Sequence, residues 1–195
     1  MTRMLRVGGW LPLANRRILE LTSSGEGELT WLFSLGGIPA LATRVDVLSE
    51  PTGVAREPSP TIDSRGDRPT LEFADASFDL VVLASVMSGI PDGIGRRALA
   101  GEVQRVLKPG GVVLWYDMRY SIPGNTSGRP VRRGELRELF PGLTENLQSV
   151  TLIPAVARRM RGATRTLYPT LAAIPLLRSY LVGLIVKPVL NAPTG

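Results

Sequence analysis

The sequence predicts an α/β protein built on a doubly wound, mostly parallel sheet, and three observations carry the prediction. Residues 78–119 read in one pass as strand, loop, helix, tight turn and strand. Further strand-like segments at 17–21, 43–48, 149–153 and 179–186, with a short one at 61–66, bring the candidate strands to seven. Helical periodicities and clusters of glycine, proline and serine lie between them, the alternation that goes with crossover helices.

The central stretch is the clearest. Residues 78–83 (FDLVVL) are a short apolar run of the kind buried on both faces of a sheet. Asp92 is placed to cap the helix that follows. Along it Leu99, Val103, Val106 and Leu107 recur at helical spacing, and Arg96, Arg97, Glu102 and Arg105 fall largely elsewhere. Lys108, Pro109, Gly110 and Gly111 stop that helix with a cation, a proline and two permissive glycines. Residues 112–117 (VVLWYD) are the second strand of a right-handed parallel crossover.

The rest of the chain takes its place around this unit. Residues 1–15 show no period and read as an irregular lead-in. Residues 17–21 (RILEL) suit a buried first strand. A turn rich in serine and glycine follows, then a helix at 28–35 stopped by Gly36 and Gly37. Strand, glycine-containing turn and helix bring a ligand to a helix N-terminus in such folds. Residues 43–48 (TRVDVL) are the second strand. Pro51, Gly53, Pro58 and Pro60 hold 51–60 as a loop before a short third strand at 61–66. A loop at 118–129 leads to a helix at 131–140 and a sixth strand at 149–153. Residues 154–178 are an insertion with helical pieces at 156–160 and 166–173, and 179–186 closes the sheet.

Composition narrows the chemistry. A chain of 195 residues fits a single domain with a sizeable core. With no cysteine and no histidine, disulfides, thiolate nucleophiles, imidazole bases and Ser–His–Asp triads are excluded. A zinc site would need carboxylates alone, and no metal is expected. The charge of +6 comes from 23 Lys plus Arg against 17 Asp plus Glu, with arginines concentrated from Arg129 onward. Without an aromatic-interleaved basic patch, this reads as a solvated surface, not a nucleic-acid site. Gly8, Gly9 and Pro12 interrupt any signal-peptide core. Pro169, Pro175 and Arg178 cut the C-terminal apolar segment well short of the ~20 residues a membrane helix needs. A cytoplasmic protein with no integral membrane segment is expected.

A strand opening FDLV, a helix ending RVLKPGG and a strand ending in an acid resemble the second half of a class I S-adenosylmethionine-dependent methyltransferase. The segments WYDMRY, VRRGELRELFPG and LIVKP are similar to bacterial small-molecule and glycan-associated members of that family. The resemblance covers residues 17–188 and implies a Rossmann-like, seven-stranded sheet with an antiparallel last strand, and S-adenosyl-L-methionine as cofactor. In the family pattern an acid, an apolar residue and G-x-G-x-G end the first strand. Glu20 matches the acid and Gly25 and Gly27 the last two glycines, but Thr22 or Ser23 stands where the first belongs, which makes the loop degenerate. The resemblance gives Asp46 the ribose hydroxyls and Asp67 the adenine amino group. It lines the methyl donor with Ser85 and Val86, with Met87 beside them. Asp117 and Tyr120 fall at the catalytic position, and Arg119 and Asn125 face the acceptor. In related enzymes an insertion placed like 154–178 covers the active-site edge. A serine-capped helix, a turn acid, a core methionine and a surface ion pair remain open for the Gly25 turn, Asp46, Met87 and Arg119.

The reaction so implied is in-line methyl transfer to a small-molecule or saccharide acceptor, at oxygen or nitrogen. The protein's share is mainly orientation, up to about 7–11 kcal/mol in favourable cases. A hydroxyl acceptor benefits from a general base, for which Asp117 is the first candidate. Tyr116 and Tyr120 would need lowered pKa values. A second reading is a methyltransferase-like domain without catalysis that serves as a partner or scaffold, alone or as a homodimer. The altered glycine turn, the short N-terminal cover and the prolines of 51–60 support it. A nicotinamide-dependent dehydrogenase would share the first strand and turn, but the chain lacks its G-x-G-x-x-G loop.

Overall fold

The computed structural model describes residues 2–22, 41–47, 70–120, 128–152 and 178–189. The strand expected at 61–66, the helix at 28–35, nearly all of the 154–178 insertion, and Gly25, Gly27, Asp67 and Asn125 lie outside the described residues.

The described strands are β1 (Ile18–Thr22), β2 (Ala42–Asp46), β3 (Phe78–Ala84), β4 (Leu107–Met118), β5 (Thr144–Leu152) and β6 (Arg178–Val186). They form one sheet in the order β2-β1-β3-β4-β6-β5. β2, β1, β3 and β4 are parallel, β6 is antiparallel to β4, and β5 is antiparallel to β6. This is the mostly parallel, doubly wound sheet with an antiparallel closing strand. Six of its expected seven strands fall among the described residues. The chain steps outward from β1 to β2, then returns past β1 to β3 and on to β4. The winding direction therefore switches between β1 and β3, and a crevice opens outside the carboxyl ends of the strands there.

The sheet is covered on both faces, which accounts for the uninterrupted apolar runs of its central strands. On one face Leu19, Leu21, Val81, Leu83, Val113 and Trp115 pack with helices α2 (Gly93–Val106) and α3 (Arg133–Leu139). The Trp115 ring meets Phe140 edge to face, with centroids 6.2 Å apart. On the other face Ile18, Leu80, Val82, Val112 and Leu114 pack with Met4, Leu5 and Leu13. Each such side chain, removed from water, contributes about 1.5–3 kcal/mol.

Four expectations need correcting. The lead-in contains a helix, α1 (Thr2–Val7), whose Met4 and Leu5 are buried; six residues are too few to display a period. The sixth expected strand starts at Thr144, five residues early, because it is an edge strand. Its exposed Thr144, Asn146 and Gln148 alternate with Glu145, Leu147 and Ser149, so it reads as polar. Residues 107–111 are not a free turn but the opening of β4. Gly110, at φ +75°, donates to the Lys187 carbonyl at 2.9 Å, and the Lys187 N–H returns to Gly111 at 3.0 Å. Finally, Arg96 lies in line with Leu99, Ala100, Val103 and Val106 on the buried stripe of α2, not on its solvent side. The cap of that helix is as expected: Asp92 Oδ1 accepts the Gly95 N–H at 2.6 Å, a bond that holds its carboxyl below the ordinary range.

Candidate functional site

The register of the parallel strands lines up one edge. Thr22 at the end of β1 lies opposite Asp46 of β2 on one side and Ala84 of β3 on the other, and Ala84 lies opposite Tyr116 of β4. Asp46, Ser85 and Asp117 thus leave the sheet at the same end. The Val47 N–H donates to the Thr22 carbonyl at 2.8 Å, and the Ser85 N–H to the Tyr116 carbonyl at 2.7 Å. Ser85 holds φ at +57°, a conformation that a non-glycine residue adopts at a cost of about 1–3 kcal/mol. The strain turns the chain sharply off β3 into a 3₁₀ turn, Met87–Gly89, and leaves Val86 and Met87 fully buried against the core.

Asp117 holds that turn. Its carboxyl is 1% exposed; Oδ2 accepts the Ser88 N–H at 3.1 Å and Oδ1 the Met118 N–H at 2.6 Å. Burial pushes its pKa above the usual carboxylate range, against the hydrogen bonds from Ser88 and Met118 that favour the anion. Tyr180 of β6 stacks on Tyr116, with centroids 4.8 Å apart and planes within 8°. Its hydroxyl is pushed up by burial and by the Asp117 charge.

Glu20 is fully buried in the middle of the same parallel set. Arg44, its direct neighbour on β2, donates from Nε to Glu20 Oε2 at 2.7 Å. The acid expected to end the first strand on the cofactor side is therefore ion-paired across to the second strand.

The segment beyond β4 returns to this edge through a second set of bonds. The Arg129 N–H donates to the Ser88 carbonyl at 2.8 Å, and the Val131 N–H to the Met118 carbonyl at 3.0 Å. Gly128, at φ +131°, passes so close that a Cβ there would lie 2.9 Å from the Ser88 oxygen. Arg96 fixes the arrangement from below. Its buried guanidinium donates to the Ile90 carbonyl at 2.8 Å, to Glu135 Oε1 at 2.7 Å and to the Arg129 carbonyl. One side chain thereby joins the loop before α2, the returning segment and α3.

Above this scaffold Arg119, Tyr120, Arg129, Pro130, Arg132 and Glu135 line a cleft of about 390 Å³. The Arg119 guanidinium sits 4.5 Å from the centroid of the Tyr120 ring, which is 40% exposed. Of the residues singled out in the sequence, Arg119 and Tyr120 share this cleft, and Asp46, Ser85, Val86 and Asp117 belong to the strand-end edge beside it. Sequence reasoning missed Ser88, Arg96, Arg129, Arg132 and Glu135. Only Arg96 left a signal, an arginine in phase with an apolar stripe. Among the described residues no group of three or more Asp or Glu is arranged to hold a metal ion, and no helix is long and apolar enough to cross a membrane.

Comparison with known proteins follows the same lines. Residues 21–115 match the sequence family described as a methyltransferase domain. Over 142 residues, 69% of the chain, the sequence is 32% identical to a phthiotriol/phenolphthiotriol dimycocerosates methyltransferase of Mycobacterium ulcerans. The chain spans about half the length of that curated relative, since the match covers 51% of it. Among solved structures, a SAM-dependent methyltransferase from Archaeoglobus fulgidus superposes with a TM-score of 0.60 at 12% identity, over 95% of this chain and 92% of that one. One from Mesorhizobium loti gives 0.57 at 15% identity, over 90% and 93%. The Burkholderia thailandensis 1,6-didemethyltoxoflavin-N1-methyltransferase, with bound 1,6-didemethyltoxoflavin and S-adenosylhomocysteine, gives 0.56 at 14% identity, over 96% and 76%. Residues 21–115 thus match a methyltransferase domain, the solved structures share the fold of SAM-dependent methyltransferases, and S-adenosylmethionine is the cofactor that goes with such a domain.

Proposed function

We propose that this chain transfers a methyl group from S-adenosylmethionine to a small-molecule or saccharide acceptor. The observation that carries the reading is the convergence of Asp46, the strained Ser85 and the buried Asp117 at one sheet edge, at the winding switch, beside the Arg119–Tyr120 cleft. The residues fit the cofactor. A half-buried acid at the end of β2 suits a pair of ribose hydroxyls, and the backbone leaving β3 through Ser85 and Val86 offers a compact wall for the donor. Glu20, Gly25, Gly27 and Asp67 are assigned to the same cofactor by the family pattern.

The bound cofactor supplies an activated methyl on a sulfonium. The chain supplies placement. Asp46 fixes the ribose, Ser85 and Val86 set the depth of the donor, and Tyr120, Arg119 and Asn125 orient the acceptor. Asp117 serves as acid–base group: its carboxylate stands near the end of β4, where Ser88 and the Met87 and Met118 N–H groups hold its orientation. A carboxyl raised by burial is also a better match to a hydroxyl proton than an exposed one.

A second reading rests on Glu20. Its carboxylate is taken by Arg44, an arrangement suited to a methyltransferase-like domain that serves a homodimer or protein partner without turning over. Incubation with isotopically labelled donor and an acceptor panel decides between them. The panel includes hydroxylated lipids like those named for the Mycobacterium ulcerans relative, and small heterocycles. Label transfer supports catalysis. Donor binding without transfer to any acceptor or partner supports the second reading.

A further inference from the structure

The charge of the cleft is lopsided. Three arginines, Arg119, Arg129 and Arg132, line it with one carboxylate, Glu135. That carboxylate is already engaged: Oε1 receives buried Arg96 at 2.7 Å and Arg129 at 3.4 Å. Arg119 and Arg132 form no ion pair among the described residues, so the described lining holds an excess of two guanidinium charges over carboxylates.

These cations are also held in place. The backbone of Arg129 is fixed on both sides, its N–H to Ser88 and its carbonyl to Arg96. Arg119 lies over the Tyr120 ring, which orients a planar guanidinium without neutralising it. Arg132 directly follows Val131, which is buried and bonded to the Met118 carbonyl. The Arg129 guanidinium also reaches the Pro91 carbonyl at 3.4 Å, and Arg119 and Arg132 line the same space of about 390 Å³; guanidinium groups bind a carboxylate or phosphate bidentately. A neutral acceptor would leave those charges facing one another.

We propose that this cleft is an anion subsite and that the acceptor carries a carboxylate or phosphate, held by Arg119, Arg129 and Arg132, with the Tyr120 hydroxyl as a further donor. The assignment rests on the methyltransferase reading, because it makes the anion part of the acceptor.

The test uses the full chain and two probes, inorganic phosphate and benzoate, titrated at constant ionic strength and followed by amide NMR, with and without S-adenosylhomocysteine. Saturable shifts confined to the surroundings of Tyr120 and Arg129 are expected with at least one probe. Affinity should fall at least tenfold in Arg119→Ala/Arg132→Ala and stay unchanged in Arg137→Ala, whose guanidinium pairs with Glu145 outside the cleft. Arg119 and Arg132 make none of the described ion pairs, so the double variant is expected to fold, and its unchanged response to S-adenosylhomocysteine verifies this. Non-saturating shifts, or equal binding by the double variant, overturn the subsite while cofactor binding keeps the methyltransferase reading intact. Saturable anion binding by a folded protein that ignores S-adenosylhomocysteine overturns the acceptor assignment together with that reading.

Discussion

Arg96 donates to Glu135 at 2.7 Å from a guanidinium with no solvent exposure, and this contact ties the first turn of α2 to α3 beneath the Arg119–Tyr120 cleft. A charge is buried at such a place only when its nitrogens find partners, and the carbonyls of Ile90 and Arg129 serve the other two. Arg96→Met removes the clasp while keeping much of the volume. It should cost about 2–4 kcal/mol, below the full cost of breaking a buried pair because Glu135 keeps Arg129. Thermal unfolding should show a loss of about 2–4 °C per kcal/mol. Arg96→Lys should recover only part, since an ammonium cannot span three acceptors set around a planar fork.

Asp46 is the second test. Asp46→Ala should weaken S-adenosylmethionine binding at least tenfold, about 1.4 kcal/mol, with the unfolding temperature nearly unchanged. Equal affinity in the variant removes Asp46 from the cofactor site.

Asp117 gives a pH signature. Its pKa is raised in the folded protein by burial, so the protonated form is favoured on folding. The stability this contributes is complete below the ordinary carboxylate pKa and is lost as pH rises through the folded value. Asp117→Asn is neutral throughout. The stability of wild type relative to the variant, from urea unfolding, should therefore fall as pH rises from about 4 and then level off. A flat difference would mean that Asp117 does not titrate on folding. On the proposed acid–base role, the same variant should lower methyl transfer with little change in donor affinity.

The Glu20–Arg44 pair makes a fourth prediction. Arg44→Met leaves a fully buried carboxylate without its arginine, but Arg44 is itself 36% exposed and partly screened. The cost should be about 1–2 kcal/mol in urea unfolding. A loss near zero would show that water already compensates the Glu20 charge.

The legible parts of this protein were those with a local cause. The apolar runs of β3 and β4, the Asp92 cap and the stop after Val106 follow from residues within a few positions of each other. The edge character of β5 depends on which strand lies beside it, and the burial of Arg96 depends on Glu135, 39 residues away. Neither is a property of a window. The candidate site divides the same way. Asp46, Ser85 and Asp117 could be singled out because they stand at or beside strand ends, whereas Arg129 and Arg132 reach the cleft through a segment where Gly128 passes close to Ser88.

The most direct test is calorimetric titration of the folded protein with S-adenosylmethionine and, separately, with S-adenosylhomocysteine. Both should bind one to one with micromolar affinity, and Asp46→Ala should weaken both. No heat from either ligand, on a sample shown to be folded by its unfolding transition, would contradict this.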